Sequence, residues 1–294
     1  MAKGKIPEKA LRLVAVAQGL EIRTIRELTF DEESAYIKAQ EHLLNHDEAG
    51  WLTEIVRRNL FAFEDCVKGY ANLVPVAGQR GVLSRDAKLD VNRHFLNFLS
   101  AVRQFLDHTE TRLKRLYANN PEIFKAFKKR TAKAFDSVFA YRLLYKLRNY
   151  SQHCGAPIGI VEYESKLKPG TRETVHTLHL FLDAQHLLRT GGDVWGPVRA
   201  DLKKLGSNFP VDELPRLVVT EIEAIWAVVQ QSEKPFLESC AQTVLETVRD
   251  VPPPYITPAV ARFWHGKTET TIQLLNPPTG TMAWLGHNTF REIF

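Results

Sequence analysis

Cysteine is scarce: the 294-residue chain has three, Cys66, Cys154 and Cys240, widely spaced and without a CxxC pair. That excludes a disulfide framework and a thiolate zinc site, and it fits a reducing compartment. Also missing is an apolar run approaching the roughly eighteen residues of a membrane-spanning helix. The opening MAKGKIPEKALRLVAVAQGL is basic at its start, but its apolar run from Leu11 to Ala17 is short and interrupted by Arg12, so it does not read as a signal peptide. The expected location is the cytoplasm, with no membrane partner. No GxSxG, P-loop or GxGxxG occurs, and the glycines of RTGGDVWG read as a turn, so no cofactor is expected. Internal repeats and low-complexity tracts are absent as well.

What is present is a globular composition, 44% hydrophobic and 25% charged, with a modest net charge of +5. The charge is unevenly placed. Between Thr111 and Arg148 eleven basic residues face only Glu122 and Asp136, so this stretch is more positive than the chain as a whole. Lys128, Lys129, Arg130, Lys133, Arg142 and Lys146 are its candidate RNA contacts. A patch of this kind attracts phosphate backbones by counterion release without choosing a sequence. Phe124, Phe127 and Tyr145 are interleaved with it and suit either base stacking or apolar packing. A solvated lysine-rich face is the other reading.

The patch leads into YKLRNYSQHCGAP, residues Tyr145 to Pro157, in which Arg148 and His153 are separated by four residues. A guanidinium is a permanent planar donor matched to phosphate oxygens, and an imidazole exchanges protons near neutral pH. Together they suit phosphodiester chemistry without a metal. The bland alternative makes Arg148 a surface or ion-paired residue and His153 a helix C-cap. On an unbroken helix the two side chains point about 140° apart. They converge if the helix unwinds over Ser151 to Gly155, or if two chains pack motif to motif across a twofold axis.

Arg148, Asn149 and His153 resemble the Arg-x4–6-His signature of the HEPN (higher eukaryotes and prokaryotes nucleotide-binding) superfamily, in which a polar residue often follows the arginine. The resemblance covers about residues 84 to 157. It implies a helical bundle, commonly dimeric with one composite site, and a metal-independent endoribonuclease, often a toxin or antiviral-defence component. It assigns Arg148, Asn149 and His153 as catalytic. The family's antitoxin-paired members often carry a tyrosine two residues beyond the histidine. Gly155 stands there in this chain, so that form of control is not implied. Alternatives are a HEPN-fold module that binds RNA or a nucleotide without cutting it, and a helical protein whose basic face meets an acidic partner protein. A regulatory partner protein is a further expectation of the resemblance.

Other constellations are less pointed. His42 and His46 are four apart in EHLLNH, a spacing open to a metal, but no glutamate follows His42 as HExxH requires, and a solvated polar face is the simpler reading. His176 and His179 fall on opposite faces of an extended stretch. Asp107 and His108 lie on the long helix of the proposed bundle and read as a surface pair, with support of the motif as the alternative. Cys154 beside His153 points about 100° away from it on a helix.

The fold expected is mainly α: a HEPN-like antiparallel helical bundle with additional helices and a small β-hairpin. Leu11 to Ala17 suits a strand, and Thr29 to His46 and Gly50 to Asn72 suit helices. Ser84 caps a long helix to Tyr117 whose apolar stripe runs Val91, Phe95, Phe98, Val102, Phe105, Leu106, Leu113. A partner helix runs from Phe135 and is stopped by Gly155 and Pro157. Ile158 to Tyr163 and Thr174 to Leu182, joined by LKPGTRE, form the hairpin. Helices resume at Val198 to Leu205 and from Val211 to Val248. The expected segments are residues 1–80, bracing the bundle; 81–157, the core with the motif; 158–250, hairpin and helices; and 251–294, a proline-rich break, VPPPYITP, and an extension. In that extension Phe263, Trp264, His265 and Lys267 suit base contacts or core docking.

Overall fold

The computed structural model describes residues 6–7, 10–16, 21–73, 80–171, 173–251, 257–265 and 270–290. Lys267, most of the proline-rich break and the loop at 77–79 lie outside them. The chain is mainly helical, with antiparallel sheet, and divides into two units, residues 1–50 with 231–294 and residues 51–230. The division falls inside helices α1 (Phe30–Asn72) and α7 (Leu214–Val248). No described helix is long and apolar enough to cross a membrane.

The first unit is built on a sheet that joins the two ends of the chain. Strand β2 (Arg12–Val16) pairs with β3 (Ile22–Glu27) on one side and β8 (Thr257–His265) on the other, with Val14 opposite Ala259. β8 also pairs with β1 (Ile6–Pro7) and β9 (Thr270–Leu274). Leu11, Leu13 and Val260 pack with Tyr36, Leu43, Leu237, Val244 and Met282, the last from the short helix α8 (Thr279–Trp284). Val14, Val16, Ala259, Ala261 and Phe263 form a separate cluster. From Leu13 to Val16 β2 is thus buried on both faces and reads as a continuous apolar run. Phe263 docks in that cluster, which answers one of the two sequence readings for it.

The second unit holds the basic stretch and the motif. Helix α2 (Arg85–Leu116) starts at Ser84, whose side chain accepts from Ala87 N, and its stripe from Val91 to Leu113 is buried as the periodicity predicts. The pairings Tyr70 with Asp90 and Phe63 with Phe95 set α1 antiparallel to it. The basic segment forms two helices, α3 (Pro121–Ser137) and α4 (Phe139–His153), where the sequence suggested one helix from Phe135. The break is at Val138, which takes an extended conformation that its β-branched side chain tolerates well.

α4 is fixed on two sides. Toward α2, Arg103 pairs with Tyr145. Past the helix end, Asn92 of α2 donates to Ile158 O and accepts from Ile158 N, both at 3.0 Å. On the other side lie α5 (Ala184–Gly191), a 3-10 turn (Gly192–Trp195) and α6 (Val198–Leu202). There the Trp195 indole stacks on Tyr150 at 5.3 Å and donates to Leu187 O at 2.9 Å. A four-stranded sheet, β4 (Arg80–Val82), β5 (Ile160–Leu167), β6 (Thr174–Leu182) and β7 (Phe209–Pro210), completes the unit. The expected hairpin is its centre, with Tyr163 opposite Leu178.

The Asn92 clamp yields a first prediction. Ile158 is fully buried, so Asn92→Ala strands a buried N–H and a buried C=O. The expected loss is about 3 kcal/mol in equilibrium urea unfolding; a loss below about 1 kcal/mol would show that the clamp is not what holds this segment.

Candidate functional site

α4 is amphipathic, and its polar side divides into two edges. Leu143, Leu144, Leu147 and Tyr150 are buried. Tyr145 and Arg148 follow buried Tyr141 at helical spacing along one edge, and Arg142, Lys146, Asn149 and His153 lie along another roughly 100° round the helix. Arg148 and His153 therefore sit on different edges. The helix is unbroken through His153, and Cys154 N still donates to Tyr150 O at 2.8 Å. Unwinding over Ser151 to Gly155 does not bring the pair together within one chain.

Arg148 is half-buried. Its Nε is buried without a hydrogen-bond partner, and it forms no ion pair among the described residues. Its carbonyl accepts from Ser151 Oγ at 2.7 Å. Asn149 is half-buried beside it, and His153 and Cys154 are exposed. The chain then turns away at Gly155, whose φ of 146° suits glycine. This end of α4 presents an unpaired guanidinium, an amide and an accessible imidazole on a rigid support.

The basic residues fall into two groups. Arg130 binds Glu221 at 2.6 Å and Arg142 binds Asp201 at 2.8 Å, each pair largely shielded from solvent. Arg142 also holds the Asp201 carboxyl below its usual range. These two arginines tie α3 and α4 to their neighbours. Lys128 pairs with Glu110 at 3.3 Å on the surface. Lys129 and Lys133 are exposed on α3, Lys146 is half-buried on α4, and none of the three forms an ion pair among the described residues. Phe127 is buried, which favours packing over stacking for that ring.

Along the Arg148 edge, α2, α3 and α4 border a cavity of about 220 Å³ that is open to solvent on one side. Arg103, which the sequence reading passed over, lies over the Tyr145 ring at 5.0 Å, donates to the Tyr145 hydroxyl and binds Asp107 at 2.8 Å. Burial disfavours its charge, but Tyr145 and Asp107 more than offset that and hold it protonated. The i,i+4 spacing of Arg103 and Asp107 was the available signal for this pair. Asp107 thus acts with Arg103, and among the described residues no hydrogen bond or ion pair joins it to the motif.

His42 and His46, considered as a metal pair, go separate ways. His46 is buried and binds Glu233 at 2.9 Å, stacked on Trp284; His42 meets Phe236 edge-on at 4.8 Å, and burial pushes its pKa down. The solvated polar face expected there is instead interior for His46, because α7 brings Glu233 to it. Among the described residues no three His, Cys, Asp or Glu side chains come together as a metal site. His176 binds Ser165 Oγ at 2.7 Å and His179 lies 3.8 Å from Glu164. Comparison with known proteins finds no match to this chain among protein-family models, curated proteins or solved structures.

Proposed function

We propose that this chain is a metal-independent endoribonuclease of the HEPN type, working as a homodimer with one composite site. The observation that carries the reading is Arg148. A charged donor that is buried at Nε and unpaired is costly to keep. A phosphodiester supplies the missing partner, and the exposed Lys129 and Lys133 supply the field that gathers RNA.

The chemistry follows from the side chains. An imidazole of His153 removes the proton from a ribose 2′-hydroxyl, O2′ bonds to the adjacent phosphorus, and the bond from phosphorus to O5′ breaks. The departing O5′ takes that proton from the imidazolium so formed. The products are a 2′,3′-cyclic phosphate and a 5′-hydroxyl. Arg148 neutralises charge on the equatorial phosphoryl oxygens, where a preorganised donor contributes most. Asn149 orients the imidazole or holds a phosphoryl oxygen. Because the two edges of α4 diverge, Arg148 of one protomer works with His153 of the partner subunit. A role as toxin or anti-phage effector follows from the family resemblance alone.

A second reading, an RNA-binding module without cleavage, is favoured by that same divergence within one chain. The two are separated by incubating the protein with mixed-sequence RNA in excess EDTA and scoring end chemistry. The expected result is cyclic-phosphate and 5′-hydroxyl ends, with a 2′-deoxy residue protecting its own linkage. RNA that is bound but intact gives the binding module the lead; RNA neither bound nor cut removes both.

A further inference from the structure

We propose that the cavity between α2, α3 and α4 is a nucleobase subsite selective for guanine. The inference rests on the RNA reading of α4 and adds the base that the site selects.

Size is the first constraint. At about 220 Å³ the space is smaller than the roughly 300 Å³ at which pockets for larger ligands begin, and it suits one planar heterocycle. The walls suit a base as well. Phe135 and Tyr145, both half-buried, line it over a floor of buried Phe127 and Tyr141, Phe135 standing edge-on to Tyr145 at 5.9 Å. The Arg103 guanidinium, fixed by Tyr145 and Asp107, adds a flat cationic plate of the kind on which bases stack.

The polar groups then choose among bases. Glu110 is held by Lys114 at 2.6 Å and by Lys128 at 3.3 Å, and these lysines keep its carboxyl below the usual range. Asp107 gives only Oδ2 to Arg103, its Oδ1 has no hydrogen-bond partner among the described residues, and about half of the side chain is exposed (51%). The cavity therefore offers an aromatic wall beside a carboxylate that accepts and does not donate. The two carboxylates of the lining are matched by Arg103 and Lys128, so it has no net positive charge to draw a phosphate there. On the Watson–Crick edge guanine sets two donors side by side, N1–H and N2–H, which match a carboxylate. Adenine and cytosine alternate donor with acceptor, and uracil flanks its single donor with carbonyls.

Placement agrees with the proposed chemistry. Tyr145 and Arg148 are on the same edge of α4, about one helical turn apart. A base seated against Tyr145 brings its own phosphate toward Arg148.

The test measures binding of guanosine, adenosine, cytidine and uridine 3′-monophosphates to wild type and to Asp107→Asn by calorimetry, alongside a map of RNA cleavage sites. Wild type is expected to prefer the guanosine compound by roughly tenfold or more. In D107N that preference falls by a similar factor and adenosine gains, because an amide presents the donor and acceptor that adenine needs. A purely structural Asp107 would not exchange one base for another. If wild type binds all four equally or not at all, or if D107N keeps the guanosine preference, the subsite is overturned even where RNA is cut. Guanosine selectivity without RNA cleavage leaves the subsite standing and removes the ribonuclease.

Discussion

Arg148→Ala and His153→Ala are each expected to lower kcat for RNA cleavage by about 100- to 10,000-fold, the range for loss of a proton-transfer group or a preorganised donor. Mixing the two inactive proteins is expected to restore activity. The reason is the geometry of α4, which is helical through His153 and so places Arg148 and His153 on separate edges. In a mixed dimer one chain still has its arginine and the other its histidine, so one of two pairings across the twofold axis is intact. In an equal mixture about half of the dimers are of this kind, each with half of its pairings, so recovered activity should reach at most about a quarter of wild type. The double variant, R148A/H153A, rescues neither single variant. If dimers exchange and the mixture stays inactive, the pairing across the axis is wrong; if either single variant keeps near-wild-type kcat, that residue is not catalytic.

Features governed by neighbours along the chain were legible in the sequence. The α2 stripe, its Ser84 cap, the end of α4 before Gly155 and the β5–β6 hairpin each follow from local spacing and turn chemistry. Features governed by distant partners were not. The sheet of the first unit needs Arg12 beside Ala261, a pairing that no window of the sequence contains. Eleven basic residues looked like one field, yet Arg130 and Arg142 are held by Glu221 and Asp201, carboxylates far along the chain. His46 turned inward because Glu233 waits on α7.

The candidate site shows the same division. Its residue types and the helix that carries them were readable. The separation of Arg148 from His153 was readable too, since it follows from helical geometry; that the helix persists through His153 was not, because Ser151 and Gly155 left an unwound end open. Arg103 and its link to Tyr145 joins residues of two helices and had no local sign beyond the spacing of Arg103 and Asp107.

Gly191→Ala is expected to disrupt the support of α4 more than any other glycine change in the α5 to α6 segment. Its backbone is ordinary, with φ of −86°, so conformation is no obstacle. Space is. An added Cβ would lie 2.3 Å from Trp195 Nε1 and 3.0 Å from a ring carbon of Tyr150. The indole has no room to yield: Trp195 is fully buried, it stacks on Tyr150, and its N–H is committed to Leu187 O. Relief requires either breaking that buried hydrogen bond or pushing Tyr150 and with it the α4 end that carries Asn149 and His153. The expected cost is about 3 kcal/mol, from overpacking together with a lost buried hydrogen bond. Gly206→Ala is the control. It meets nothing within 4 Å and is not among the glycines of positive φ, so its loss is expected to stay within about 0.5 kcal/mol. Urea unfolding of the two variants should separate them by about 3 kcal/mol, with G191A the weaker. Equal losses would mean that the Trp195 stack is soft, and α4 would then owe its position to Asn92 and the α2 interface.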